Sequence, residues 1–250
     1  MRLVKHIPDT ITSMNLLSGV AGVIFTMAGR PDLGFACMLA AAVFDFCDGL
    51  AARLLRACSA IGKELDSLCD VVSFGVLPSL MLFRLPRMDF GAASFPVIVL
   101  AGVPLLLAVF SALRLARFNL DERQHDAFLG LPTPAAAMIC GALACFVYKT
   151  PDSLLAAWSA GRVFIPVLSL CLCALLVCEI PMFGMKFGGG KQADFKTNAE
   201  RIAFLAIAAI AGVVTAVLGL HVSMAVLLAF SAYILINLVF FLVPAGRQRG

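Results

Sequence analysis

Asp45-Phe46-Cys47-Asp48-Gly49-Leu50-Ala51-Ala52-Arg53, continued through Gly62, Asp66 and Asp70, sets four aspartates inside some of the most apolar sequence of a 250-residue chain. An ionised side chain near the middle of a bilayer costs about 2.5–3.5 kcal/mol on insertion scales, so four would cost on the order of 10 kcal/mol without compensation. Bound cations are the natural compensation.

The surrounding composition makes a bilayer the right reference. Hydrophobic residues make up 62% of the chain and the mean hydropathy is +1.00, whereas about half the residues of a soluble domain are apolar. The sequence therefore reads as a membrane protein. No linker long enough to divide it is present, so residues 1–250 read as a single integral membrane domain. The net charge of +4 is small, and nothing in its distribution points to nucleic acid. Nine cysteines (Cys37, Cys47, Cys58, Cys69, Cys140, Cys145, Cys171, Cys173 and Cys178) lie in or beside apolar runs without CxxC pairs, which favours plain apolar thiols over disulfides or a zinc site. The first apolar run leads directly into further ones, so no cleavable signal peptide is expected.

A run of about 20 apolar residues spans a bilayer as a helix, and eight runs fit: 12–28, 33–55, 66–83, 95–115, 131–148, 163–183, 202–220 and 222–243. His221 alone separates the last two, leaving a tight hairpin and a re-entrant bend both open. The expected fold is an all-α polytopic helical bundle of about eight transmembrane helices. Eight crossings put both termini on one side, together with fourteen basic residues against five on the other. Because loops rich in Lys and Arg stay in the cytoplasm, both termini and the aspartate stretch are expected there, in a cell (inner) membrane. His6, His125 and His221 are isolated and read as ordinary interfacial or loop residues. The loop from Lys186 to Arg201, with Gly188-Gly189-Gly190, reads as flexible, with a phosphate-gripping role the weaker alternative.

Helical spacing organises the aspartates. Residues three and four apart share a face, so Asp45, Asp48, Gly49 and Ala52 form one stripe, and Asp66 and Asp70 another on the next helix. A short connection near Ser59 and Ala60 makes the two helices antiparallel neighbours, and all four carboxylates are expected to converge. Convergent carboxylates without histidine favour hard divalent ions, Mg²⁺ or Mn²⁺ and also Ca²⁺, over zinc. Gly49, Ala52 and Gly62 leave space beside the helices. Arg53 is placed for a phosphate or for a carboxylate partner of its own. Such a cluster fits phosphoryl transfer; carboxylates paired with Arg and Lys, and an ion pathway through a cation-coupled transporter, are the competing readings.

Asp45-x-x-Asp48-Gly49-x-x-Ala52-Arg53, then Gly62-x-x-x-Asp66-x-x-x-Asp70, resembles the complete signature of the CDP-alcohol phosphatidyltransferases. That resemblance implies a helical membrane enzyme that displaces CMP from a CDP-linked lipid with an alcohol hydroxyl. Asp45, Asp48, Asp66 and Asp70 would hold two metal ions, with Asp70 also the general base. Gly49, Ala52, Arg53 and Gly62 would line the CDP site.

The acceptor is read from other stretches. Arg114-Leu115-Ala116-Arg117-Phe118-Asn119, Phe128-Leu129-Gly130-Leu131-Pro132-Thr133-Pro134 and the pattern Ile7-Pro8, Thr12, Asn15, Gly19 are similar to the phosphatidylserine synthase branch of that family, although Asp9 stands where Asn is more usual. An arginine pair at a helix end binds a carboxylate through charge-assisted hydrogen bonds, and serine brings a carboxylate that glycerol phosphate lacks. Arg114, Arg117 and Asn119 are thus the expected acceptor site; a positive-inside anchor is the plainer role for the arginines. The expected substrates are CDP-diacylglycerol and L-serine, with glycerol 3-phosphate, inositol phosphate or choline as other acceptors. Membrane lipids are expected around the chain, and a homodimer is left open.

Overall fold

The computed structural model describes residues 6–57, 59–86, 94–120, 128–182 and 195–242. The readings made above for Cys58, His125, Gly188 to Gly190 and most of the loop from Lys186 fall outside these residues. The last part of that loop is helical from Phe195 onward, one to two turns before the apolar run begins.

The apolar runs become helices because a backbone in hydrocarbon must satisfy its own hydrogen bonds. In chain order these are α1 (Ile7–Met27), α2 (Pro31–Leu54), α3 (Ala60–Arg84), α4 (Phe95–Leu120), α5 (Thr133–Lys149), α6 (Leu154–Ser159), α7 (Phe164–Val177), α8 (Phe195–Val217) and α9 (Val222–Leu242). Five of them, α1 to α4 and α9, are long and apolar enough to cross a membrane; α5, α7 and the apolar part of α8 are shorter. Gly219, at φ +63°, turns the chain between α8 and α9, which pack against each other as a hairpin.

Two expectations are corrected, each for an identifiable reason. The run 163–183 does not continue as one helix: α7 stops at Val177, Cys178 is extended, and Pro181–Met182 pairs antiparallel with Phe128–Leu129. A residue preceding proline is pushed out of the helical region, and here Ile180 and Leu175 use their carbonyls to accept from the N–H groups of Gly130 and Leu131, at 2.9 and 2.8 Å. Gly130 has φ +75°, and a Cβ there would lie 2.8 Å from the Cys178 and Leu176 carbonyl oxygens. Only glycine suits this position. The turn carries the chain into Pro132 and Thr133, where α5 starts.

The second correction concerns α2 and α3. They are not packed neighbours along their length; α1 packs strongly on α2 and separately on α3. Small residues make this close approach workable, as is usual where helices pack in lipid. A Cβ on Gly19 would collide with Ser73, and one on Gly22 would meet Leu77, Cys37 and the Gly34 carbonyl. The α2 and α3 stripes therefore face each other across a gap beside α1.

The buried centre is α5, whose residues from Ala135 to Phe146 are covered on all sides. Leu82, Leu131, Ile165, Leu172 and Tyr233 close around it. Large apolar side chains such as Leu17, Ile24, Phe46 and Leu54 point outward, while Thr12, Asn15 and Ser73 are inside, the distribution expected of a bundle solvated by lipid. The eight described cysteines are all free thiols.

Candidate active site

Asp45 and Asp48 project from the second half of α2, and Asp66 from the second turn of α3. One carboxylate oxygen from each lies within 4.8 Å of the other two. Asp48 is buried, with the Thr12 hydroxyl of α1 in hydrogen-bond reach, and its Oδ2 has no hydrogen-bond partner among the described residues. Three carboxylates this close repel strongly away from water, and the arrangement is hard to hold without a cation between them.

The donor set fits a hard divalent ion. Oxygens on opposite sides of one Mg²⁺ or Ca²⁺ are about 4–5 Å apart at ordinary coordination distances, which matches the 4.8 Å spread. All three donors are oxygens, the chemistry that suits Mg²⁺, Mn²⁺ and Ca²⁺ and not zinc.

Asp70 lies one turn beyond Asp66 and is not one of the three converging carboxylates. It is buried, and its Oδ1 accepts from Asn15 Nδ2 of α1 at 3.2 Å. The other three aspartates are near enough to act on its charge. Immediately after Asp70, α3 makes a π-helical turn over Val71–Val76, and Ser73 in that turn donates to the Asn15 carbonyl at 3.1 Å. π turns of this kind recur at functional sites.

The positions assigned to the CDP site surround the cluster with little bulk. A Cβ on Gly49 would meet nothing within 4 Å, whereas one on Gly62 would touch Ser59 Oγ and Asp9 Oδ1. The Gly62 N–H donates to the Ser59 side chain, which caps the start of α3. Ala52 is half-buried. Arg53 is exposed and folds back so that its Nε donates to the Gly49 carbonyl at 2.9 Å.

The three residues assigned to the acceptor are not brought together. Arg114 is 7% exposed. It donates from Nη1 to Thr133 Oγ1 at 3.1 Å, and its buried Nε has no partner among the described residues. A buried guanidinium is rarely left with an idle donor. Gly75 of α3 packs on Ser111 of α4; one turn from each towards the aspartates lie Asp70 and Arg114. Arg117 is exposed, and Asn119 instead ties α4 to α3 by donating to Ser67 Oγ at 2.9 Å. Lys63 Nζ donates to the Asn119 carbonyl.

The family model described as CDP-alcohol phosphatidyltransferase matches residues 5–177, which includes every site residue named so far. The chain belongs to the CDP-alcohol phosphatidyltransferase family. Membership sets the transporter reading aside. A CDP-diacylglycerol–serine O-phosphatidyltransferase of Mycobacterium tuberculosis is 37% identical over 141 residues, covering 53% of this chain and 46% of the relative. Its namesake from Bacillus subtilis is 31% identical over 163 residues, 65% of this chain and 87% of that protein. An archaetidylserine synthase of Methanothermobacter thermautotrophicus is 34% identical over 137 residues, 53% of this chain and 54% of the relative. The chain spans about half the length of the mycobacterial and archaeal relatives it matches.

Three further residues beside the candidate site, Thr12, Asn15 and Thr133, carry no role in the spacing argument. The signal was present, since Thr12, Asn15 and Gly19 share one face of an otherwise apolar α1. Their partners lie 36, 55 and 19 residues away in sequence, for the pairs Thr12 with Asp48, Asn15 with Asp70 and Thr133 with Arg114.

Proposed function

We propose that this chain, as one integral membrane domain over residues 1–250, transfers the phosphatidyl group of CDP-diacylglycerol to the hydroxyl of L-serine, giving phosphatidylserine and CMP. The observation that carries the reading is a buried arginine with an idle donor one helix away from an acidic cluster. The names of the relatives support serine as acceptor.

Arg114 receives the serine carboxylate on Nε while Thr133 fixes Nη1. Arg117, at the exposed end of α4, draws the anion in, and Asn119 holds α4 against α3 beside it. The serine hydroxyl gives its proton to Asp70, whose carboxylate Asn15 orients, and the hydroxyl oxygen attacks the phosphorus next to diacylglycerol. The phosphorus–oxygen bond to CMP breaks, and CMP leaves with the electron pair. Gly49, Ala52 and Gly62 leave room for the CDP moiety, and Arg53 meets its phosphates. Asp45, Asp48 and Asp66, joined by Asp70, would hold Mg²⁺ or Mn²⁺, with Ca²⁺ also suited and two ions in all, and a bound ion would neutralise charge on the diphosphate.

The same reading takes eight membrane crossings, both termini and the site on the cytoplasmic side of the inner membrane, and a homodimer as an allowed assembly. It is supported by a helix on each of the eight apolar runs and by the basic residues gathered on the terminal side.

Purified protein supplied with CDP-diacylglycerol, Mn²⁺ or Mg²⁺ and labelled serine should release CMP and form labelled phosphatidylserine. CMP release with glycerol 3-phosphate, inositol phosphate or choline, and none with serine, would replace the acceptor. The archaetidylserine synthase likeness favours a second reading of the donor, so an ether-linked CDP-lipid belongs in the same assay.

A further inference from the structure

A cavity of about 330 Å³ opens at the end of the bundle away from the carboxylates. Pro31 on its wall and Asp48 are seventeen residues apart on α2, so about 25 Å separates the two sites at 1.5 Å per residue. The walls come from the ends of α1, α3 and α5 and from one side of α6, with Thr26, Arg84, Tyr148 and Ala156 among them. Arg84 is the one charged residue among the described residues lining the cavity. Among the described residues its guanidinium makes one long hydrogen bond, from Nη2 to the Met27 carbonyl at 3.4 Å. The nearby cations Arg30 and Lys149 are engaged otherwise, both bound to Asp32 at 3.0 and 2.8 Å.

The short helix α6 fixes the depth of this cavity. Ala156 is buried against it, whereas Leu154 and Trp158, 87% and 65% exposed, face outward. A short segment with Leu and Trp outward lies in the plane of the membrane interface, which places the cavity beneath it at headgroup level. Among the described residues no acidic side chain lines the space and one tyrosine does, so a quaternary ammonium would find neither a carboxylate nor an aromatic cage among them. A phosphate would find Arg84 and the Tyr148 hydroxyl, with apolar walls for the glycerol and first methylenes.

We propose that this cavity binds the headgroup of an anionic phospholipid, with Arg84 as the phosphate ligand, as a lipid site separate from the transferase centre. Trp158, the chain's single tryptophan, reports on it. The full chain is reconstituted in phosphatidylcholine bilayers containing an equal fraction of dibrominated phosphatidylglycerol or dibrominated phosphatidylcholine, and Trp158 quenching is compared.

One cation at a membrane surface favours an anionic lipid by about fivefold, so brominated phosphatidylglycerol should show an apparent affinity about fivefold higher. Arg84→Gln should bring the ratio near one and Arg84→Lys should keep it. Arg162→Gln, an exposed arginine outside the cavity, should leave the ratio unchanged, as should Asp70→Asn, which separates this site from the transfer reaction. Equal quenching by the two lipids in the unmodified chain would overturn the proposal without any variant. A ratio lost in Arg162→Gln but kept in Arg84→Gln would assign it to general surface charge and also overturn it. Loss of the preference in excess inorganic phosphate would give the cavity to the free ion and remove the lipid.

Discussion

Asn15 and Asp70, fifty-five residues apart, are joined by a buried hydrogen bond from Nδ2 to Oδ1 at 3.2 Å, and the Asn15 carbonyl is itself held by Ser73. Asn15 is fully buried. A hydrogen bond to a charged group contributes about 1.5–3 kcal/mol, so Asn15→Leu should lower kcat roughly 10- to 100-fold. The KM for the CDP-lipid should change much less, because Asn15 bonds Asp70, the proposed base, and is not among the positions assigned to the nucleotide. Steady-state kinetics with labelled serine decides this, and an unchanged kcat would remove Asn15 from the reaction.

Chelation should abolish turnover and Mn²⁺ should restore it. Asp66→Asn removes the charge of one of the three converging carboxylates and should raise the Mn²⁺ concentration for half-activation at least about tenfold. The loss of free Mn²⁺ signal in electron paramagnetic resonance reads the same binding without turnover. Equal Mn²⁺ uptake by the variant and the unmodified chain would separate Asp66 from the metal.

Arg114→Gln should raise the serine KM roughly 10- to 100-fold, the range for a lost charge-assisted hydrogen bond. Thr133→Val should act in the same direction and more weakly, since it frees Nη1 without removing the charge. An Arg114→Gln enzyme with normal serine KM would return Arg114 to a purely structural role.

Gly130→Ala puts a methyl group 2.8 Å from two carbonyl oxygens at a residue with φ +75°. Both the left-handed backbone and the contact penalise it. The expected outcome is a sharp fall in the yield of folded protein on size exclusion in detergent. A folded, active Gly130→Ala chain would show that the turn rearranges freely.

Asp32→Asn weakens the junction of α2 with α5, where Asp32 is nearly buried between Arg30 and Lys149. Its partners are largely in solvent, so screening limits the effect. A drop of a few degrees in thermal midpoint with activity retained is expected, because the carboxylate cluster lies at the other end of α2. Activity lost at unchanged stability would contradict this.

Much of this was legible in the sequence because both the apolar runs and the aspartate stripes are periodic. Asp45, Asp48 and Asp66 meet as their spacing requires, and a helix forms in each apolar run, although α7 stops at Val177 short of the end of its own. What was not legible depends on partners far away in the chain. The end of α7 is decided by the pairing of Pro181–Met182 with Phe128–Leu129, and the gap between α2 and α3 by α1 lodging against both. The Asn119 side chain, read as part of an acceptor site, is used by Ser67 on another helix, which a local motif does not disclose.

The π turn over Val71–Val76 carries one residue more than an α-helical turn would hold, so the chain on either side of it is out of phase by about 100°. Counting by threes and fours from Asp66 therefore fails beyond Asp70. It also makes the site sensitive to chain length alone: deleting one residue between Val71 and Val76 would remove no aspartate, arginine or asparagine from the sequence. Yet it would rotate the second half of α3 and pull Ser73 off Asn15, disarming the centre through a change of phase.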